Sequence, residues 1–202
     1  MIYRADIIKT EQPDHVVDQW LAATDAQANQ PGFVESKLHK IYKFINKTGY
    51  QLISITGWED ESSYDAVRSN PKCFGFLEDS AVAPRSHLYE VINHGANDRY
   101  PSTLDNLIVT NPYRITEAEA EKNAAMWNDS KEHMKDRDGF VNANLYQSLT
   151  KQDEYFFVSR AEWASEEQFL AQFQGKDFKK IVEPFESIFS ICFSKVIYHV
   201  KG

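Results

Sequence analysis

The sequence predicts an α+β fold made of two copies of one β-α-β-β-α-β unit. The first observation is that its four tryptophans form two pairs: Trp20 and Trp127 lie 107 residues apart, and Trp58 and Trp163 lie 105 apart. The second is that the residues around each pair recur in the same order, as in Gly32 with Gly139, Phe33 with Phe140, Leu38 with Leu145, Tyr50 with Tyr155, and Ser54 with Ser159. One deletion of two residues reconciles the offsets, which indicates a duplication within the chain.

Turn and capping signals define the elements of the first copy. Pro13 suits the first turn of a helix, where its missing amide proton leaves no bond unmade. Pro31-Gly32 ends that helix, and Asp60 has the character of an N-cap for a second one. The strands predicted around these helices are Tyr3–Ile8, Phe33–Lys40, Tyr50–Trp58 and Leu88–Ile92.

The second copy repeats this order with its own caps. Thr116 and Glu119 have the spacing of a capping box, and Ser165 with Gln168 marks the start of the second helix. The predicted strands are Leu107–Asn111, Phe140–Tyr146, Tyr155–Trp163 and Lys195–Val200. We therefore expect domains over residues 1–95 and 104–202, joined by a polar linker over residues 96–103.

The order β-α-β-β-α-β is that of a ferredoxin-like unit, which carries both helices on one face of its sheet. The other face must then be covered, and both faces of the third strand carry apolar residues in each copy. The economical solution is that the two sheets pack together, giving an intramolecular dimeric α/β barrel. We expect a monomer with this internal pseudo-dimer, and further homodimerisation stays open.

Composition narrows the function classes. Thirty acidic residues against 22 Lys and Arg give a net charge of −8, which disfavours nucleic-acid binding. No apolar run is long enough for a membrane span, no signal peptide is visible, and two cysteines do not make a disulfide framework, so a cytoplasmic protein is expected. No histidine pair has metal-ligand spacing and no phosphate-binding loop occurs, so we expect neither a metal nor another cofactor.

Each copy resembles the antibiotic biosynthesis monooxygenase (ABM) family. The resemblance lies in a helix followed by Gly-Phe-Val, a strand with Leu, a strand ending in Trp, and a last strand containing Tyr, which is LYEVI in one copy and VIYHV in the other. The segment NPYRI at Asn111–Ile115 is similar to the first strand of many members. Members include oxygenases of polyketide quinols that need no cofactor, haem-degrading enzymes, and proteins with no assigned reaction.

The resemblance suggests site residues at the end of the third strand. Trp58 and Trp163 are either core residues or pocket walls whose indole N–H holds a substrate oxygen. The quinol oxygenases carry Asn four residues before this Trp and Tyr six residues after it. The residues at those two places here are Ser54 and Tyr64 in the first copy, and Ser159 and Phe169 in the second.

Three further residues are candidates. Asn111 occupies the place of an Asn in the haem-degrading relatives, but Val182 stands where those relatives place a histidine. His39 and its counterpart Tyr146 can exchange protons with a phenol, although His39 between lysines also fits a solvated strand end. We expect the better-formed cavity in the second copy, with Phe157 and Ala161 providing an apolar wall.

Three hypotheses follow. The first is a monooxygenase that acts on an aromatic or polyketide-like quinol or phenol, with O₂ and the small aromatic substrate as its only partners. The second is a non-catalytic ligand-binding or accessory protein of the same fold. The third, haem binding or degradation, is disfavoured by Val182.

Overall fold

The structure, a computed structural model, describes residues 1–46, 49–78, 83–151, 154–174 and 176–202. It consists of two compact units. The first comprises Met1–Ile41, Gly49–Glu90 and Val196–Gly202, and the second comprises Tyr42–Thr48 and Val91–Lys195. The domain boundaries read from the sequence, including the linker over residues 96–103, stay a prediction.

The first copy forms the predicted elements, with a second helical region that is broken into short pieces. The β1 strand lies between β3 and β4, antiparallel to both, and Asp6 on β1 faces Ser54 on β3. Its elements are β1 (Ile2–Lys9), α1 (Pro13–Ala28), β2 (Phe33–Phe44), β3 (Leu52–Trp58), α2 (Glu61–Asp65), α3 (Pro71–Phe74) and β4 (Ala83–Ala96).

The second copy repeats this arrangement. The β5 strand lies between β7 and β8, and Asn111 on β5 faces Ser159 on β7, as Asp6 faces Ser54 in the first copy. Its elements are β5 (Leu107–Tyr113), α4 (Ala120–Met134), β6 (Phe140–Ser148), β7 (Phe157–Trp163), α5 (Glu166–Leu170), α6 (Lys176–Val182) and β8 (Cys192–Lys201).

The hydrogen-bonded order of the strands is β1-β3-β2-β8-β5-β7-β6-β4, which closes on itself. This is the strand order of two ferredoxin-like repeats in an intramolecular dimeric α/β barrel, so the predicted fold class is confirmed. Strands β2, β4 and β8 each contribute residues to both compact units.

The helix caps form as their sequence signals predict. The Asp60 carboxylate accepts from the Ser63 backbone N–H at 2.8 Å, and the Ser165 hydroxyl accepts from the Gln168 backbone N–H at 3.2 Å. Thr116 and Glu119 form a capping box before α4. These caps fix where each helix begins and hence which of its side chains face the sheet.

A glycine in the left-handed backbone region precedes the second strand of each copy. Gly32 has φ +80° and Gly139 has φ +82°, a conformation that residues with a Cβ adopt only under strain. A Cβ at Gly139 would also lie 2.5 Å from the Cδ atom of Gln168. Each of these glycines is therefore required by its turn.

We expect Gly139→Ala to lower the free energy of unfolding by about 1–3 kcal/mol, because it adds backbone strain and a collision with Gln168. Gly75→Ala is the matched control, since Gly75 has φ −61° and its Cβ would lie 3.5 Å from Pro71. Chemical denaturation of both variants measures the difference. Equal stabilities would show that the turn accommodates a side chain.

Candidate functional site

The second unit contains a cavity of about 480 Å³. Its walls are mainly apolar and aromatic, and include Val109, Met126, Trp127, Ala143, Ala161, Phe169, Phe173, Phe178 and Phe193. A cavity of this size and character is typical of a site for a small organic ligand.

Polar side chains converge at one wall of this cavity. The Trp127 Nε1–H donates to the Ser159 hydroxyl at 2.8 Å, which connects α4 to β7. Antiparallel pairing places Asn111 of β5 opposite Ser159, and Tyr113 follows two residues later on the same face of β5. Ser159, Asn111, Tyr113 and Trp127 all line the cavity. We call these four residues the polar cluster.

Hydrogen bonds orient the members of the polar cluster. The Asn111 Oδ1 accepts from the Ser190 backbone N–H at 2.7 Å, which directs the amide nitrogen to another acceptor. The Asn111 and Ser159 side chains lie close enough to the Tyr113 phenol to lower its pKa. The members of the cluster therefore influence one another at the cavity wall.

Tyr113 is a phenol that stays protonated near neutral pH. Burial raises the pKa of Tyr113 well above its usual value, and the neighbouring polar side chains of Ser159 and Asn111 offset only part of this effect. Its side chain is 4% exposed. A buried, protonated phenol at a cavity wall is suited to donate a hydrogen bond to an oxygen atom of a ligand.

In the first unit, an arginine side chain fills the space that corresponds to the cavity of the second unit. The Trp20 Nε1–H donates to Ser54 at 2.8 Å, which repeats the Trp127–Ser159 bond. The Arg4 guanidinium then pairs with the Asp6 carboxylate at 2.8 Å and donates to the Tyr64 hydroxyl at 2.7 Å.

Arg4 also lies 4.6 Å from the centroid of the Phe74 ring. In the second copy Val109 and Asn111 hold the positions of Arg4 and Asp6, 105 residues earlier. The loss of this ion pair leaves space beside the sheet in the second copy.

The structure brings four of the predicted residues of the second copy together. Asn111, Ser159, Ala161 and Phe169 line the cavity. Tyr146, Phe157 and Trp163 are buried but do not line it. Their assignment to substrate contact or catalysis stays a prediction.

Trp163 is fully buried among aromatic rings. It packs edge-on against Phe140 at 5.4 Å and Phe169 at 5.6 Å between ring centroids. Its Nε1 has no hydrogen-bond partner within the described part of the chain, and the same is true of Trp58. Trp163 therefore supports Phe169, which reaches the cavity, from behind.

The predicted residues of the first copy serve internal contacts. Trp58 packs against Phe33 and Tyr64, Tyr64 accepts from Arg4, and Ser54 accepts from Trp20. His39 is fully buried, with Nδ1 3.0 Å from the carbonyl oxygen of Ile53. The alternative of a solvated strand end for His39 is therefore wrong, because β2 continues beyond it to Phe44.

Sequence reasoning missed Tyr113 and Trp127 as site residues. Trp127 served only as a marker of the repeat, and Tyr113 lay just beyond the predicted end of the first strand at Asn111. The signal for Tyr113 was available, because residues two apart on a strand share a face and Asn111 was already a candidate.

The described residues contain neither a cluster of side chains that could hold a metal ion nor a helix that could span a membrane. No group of three or more His, Cys, Asp or Glu side chains among them is arranged to hold a metal ion. Val182, at the place of the relatives' histidine, lines the cavity with an alkyl side chain that cannot ligate iron. None of the helices in the described ranges has the length and apolar content needed to cross a membrane.

Comparisons with known proteins agree with this architecture. Residues 106–184, which lie within the second repeat, match the family described as antibiotic biosynthesis monooxygenase. A search of curated proteins finds no matching sequence.

Solved structures with the same fold cover nearly the whole chain. An anthrone oxidase-like protein is 13% identical over 99% of this chain and 92% of its own, with a TM-score of 0.76. A proposed monooxygenase from Fusobacterium nucleatum is 10% identical over 99% and 93%, with a TM-score of 0.65. A haem-degrading enzyme from Listeria monocytogenes is 11% identical over 96% and 99%, with a TM-score of 0.51. At these identities the likeness shows the fold alone.

The raised pKa of Tyr113 predicts a pH dependence of stability. In the unfolded chain a tyrosine ionises near pH 10, whereas folded Tyr113 holds its proton to higher pH. The free energy of unfolding should therefore fall as pH rises above about 10. We expect Tyr113→Phe to lose less stability than the wild type between pH 9 and 11. Tyr198→Phe, at a tyrosine that is 39% exposed, is the control. Parallel curves for wild type and Tyr113→Phe would contradict this prediction.

Two tryptophan variants separate the cavity from the core. Trp127→Phe removes the donor to Ser159 and should weaken binding of an aromatic ligand by about 1–3 kcal/mol. Trp163→Phe removes buried volume and should lower the free energy of unfolding by about 1–3 kcal/mol while affinity changes little. Fluorescence titration and chemical denaturation measure the two effects. If Trp163→Phe weakens binding with stability intact, Trp163 has the ligand contact that the sequence suggested.

Proposed function

We propose that the second unit, as an ABM domain with an open apolar cavity, oxygenates an electron-rich aromatic phenol with O₂ and needs no metal or flavin for this. The observation that carries the proposal is the polar cluster, in which the protonated phenol of Tyr113 lies with Asn111, Ser159 and Trp127 at the wall of an otherwise apolar cavity. Such a site can hold one oxygen atom of an aromatic ligand while keeping its rings out of water.

The size and lining of the cavity suggest a planar substrate of two or three fused rings. A volume of about 480 Å³ falls within the range of pockets for small organic ligands. Phe169, Phe173, Phe178 and Phe193 offer ring faces and edges for aromatic contacts. The likeness of the fold to an anthrone oxidase-like protein supports an anthrone or a related hydroxylated polycycle as the class to test.

In such a reaction the substrate itself supplies the electrons. Deprotonation of an anthrone gives an enolate that transfers electron density to O₂, and one oxygen atom becomes bonded to the ring carbon. That carbon changes from CH₂ to C=O, and its two hydrogens leave with the second oxygen atom as water. Four electrons pass from carbon to O₂, so no external reductant is consumed.

The residues of the polar cluster have distinct roles in this proposal. The Tyr113 hydroxyl donates to the enolate oxygen of the substrate, where negative charge develops. In this proposal Asn111 and Ser159 position that phenol from beside it, and Trp127 orients Ser159 through its hydrogen bond. The apolar walls keep water away from the charged intermediate, which strengthens these hydrogen bonds. Tyr113 is then a catalytic residue, and Trp127 is a positioning residue.

The alternative is a ligand-binding protein without catalysis. Ser159 and Phe169 stand where the quinol oxygenases that the chain resembles carry an amide and a second phenol. The same cavity would then bind the aromatic compound and leave it unchanged. Binding with and without O₂ consumption distinguishes the two functions.

The test is an oxygen-uptake assay on chelator-treated protein with a panel of anthrones and quinols. We expect O₂ consumption with one atom of ¹⁸O₂ incorporated per product, and a 10- to 100-fold lower kcat/KM for Tyr113→Phe, since one charge-assisted hydrogen bond is lost. Tyr198→Phe is the control and should match the wild type. Protection against heat denaturation without O₂ uptake would identify a binding protein. The absence of both protection and O₂ uptake would refute the proposal.

A further inference from the structure

A short segment of the first copy belongs to the compact unit that holds the cavity. Its described part, residues 42–46, groups with Val91–Lys195, and Ile45 and Asn46 within this segment line the cavity. We infer that this segment forms the mouth of the cavity, that Ile45 determines which ligands pass it, and that Glu166 positions it. The inference requires that the cavity binds ligands, but not that it catalyses oxygenation.

The Glu166 carboxylate binds two side chains of the segment. Its carboxylate accepts from the Tyr42 hydroxyl at 3.1 Å and from the Lys43 ammonium group. These contacts keep the pKa of Glu166 below its usual value, the Lys43 hydrogen bond having the largest lowering effect. The Lys43 Nζ also lies 5.3 Å from the centroid of Phe193, a cavity residue.

Two backbone contacts continue this attachment to the cavity itself. The Ile45 N–H donates to the Ile191 carbonyl oxygen, and the Ile191 N–H donates to the Asn46 Oδ1, both at 3.0 Å. Ile191 also lines the cavity. The segment is therefore fixed at Glu166 on one side and at Ile191 on the other, with Ile45 between them.

Glu166 begins α5, and the end of this helix reaches the same cavity. Phe169 and Leu170 line it, and Phe173 follows in the next turn. The contact between Glu166 and the segment thus sets the spacing between Ile45 and these side chains. A change at Glu166 should widen or loosen the mouth without altering the polar cluster.

The mouth is apolar although it faces water. Ile45 is 50% exposed, Phe173 is 45% exposed and Leu170 is 40% exposed, yet all three line the cavity. Exposed apolar side chains grouped around an opening are typical of a ligand site. An uncharged aromatic ligand gains contacts with them on the way in, whereas a strongly hydrated ligand does not.

The contact between Glu166 and the segment is weak enough to break while a ligand binds. Exposed ion pairs contribute little to stability, and side chains at both ends of this one are partly exposed. The segment can therefore be displaced while a ligand binds. Loss of its contact with Glu166 should change the association and dissociation rates of the ligand about two- to fivefold.

The experiment uses stopped-flow fluorescence of N-phenyl-1-naphthylamine, an uncharged aromatic probe, with the full chain. We expect Glu166→Gln and Ile45→Ala each to raise the association and dissociation rates about two- to fivefold. Glu117→Gln, at a carboxylate paired with Lys151, and Ile92→Ala, at an isoleucine that is 39% exposed, are the matched controls. Neither control residue lines the cavity.

Two further readouts distinguish positioning from a general loss of structure. Sodium chloride at 0.5 M should speed probe exchange in the wild type but not in Glu166→Gln, since the ion pair is already absent there. The effects of Glu166→Gln and Ile45→Ala should also be non-additive in the double variant, because one acts through the other. Additive effects, or rates equal to those of the controls, would overturn the inference.

The probe must occupy the cavity for this test to hold. Ala161→Phe fills the space beside Ser159 and should abolish the probe signal, and Val109→Phe is a second filling variant should Ala161→Phe fail to fold. A signal that persists in a folded filling variant overturns the inference. Probe kinetics as expected without O₂ uptake on any substrate would leave this inference standing and refute the proposed oxygenation.

Discussion

The structure depends on one hydrogen bond that occurs in both copies, from an indole N–H on the first helix to a serine hydroxyl on the third strand. Trp20 donates to Ser54 and Trp127 donates to Ser159, each at 2.8 Å. This bond fixes the helix against the sheet and satisfies two polar groups that burial would otherwise penalise. It also fixes the direction of the serine hydroxyl, so the residue opposite that serine on the first strand meets an oriented partner. That residue is Asp6 in one copy and Asn111 in the other.

In the first unit, side chains fill the space beside this hydrogen bond. In the second unit, the equivalent space is a cavity. Arg4 and Asp6 form an ion pair that Tyr64 and Phe74 cover, so the side chains of the first copy satisfy one another. Val109 and Asn111 replace that pair with an alkyl group and a neutral amide. A valine is too short to fill the volume of an arginine, and what remains is lined by the polar cluster. The two copies thus differ at equivalent positions, with an ion pair in the first and a cavity in the second.

Burial gives the cavity its chemical character. The phenol of Tyr113 is protonated at neutral pH, as a tyrosine ordinarily is, and burial raises its pKa further, so the group is a hydrogen-bond donor rather than a base. A donor that is buried in the cavity wall beside Ser159 and Asn111 costs little reorganisation when charge develops on a ligand, which is the condition for electrostatic stabilisation in an apolar site. The segment that carries Ile45 and Asn46 adds a wall from the first copy, so the duplicated chain contributes to the cavity from both repeats.

The sequence by itself determined the duplication, the order of strands and helices, and the caps at Asp60, Thr116 and Ser165, because these depend on local spacing and residue type. It also identified Asn111, Ser159 and Phe169, because the family resemblance points to these positions. Only the tertiary structure decided that Trp127 rather than Trp163 reaches the cavity, that Tyr113 belongs to the polar cluster, and that His39 is buried. The physical reason is that these outcomes depend on how far strands continue and which side chains fill the space between a helix and a sheet. Packing among residues that are distant in the chain determines how that space is filled, as the difference between Arg4 and Val109 at equivalent positions of the two copies shows.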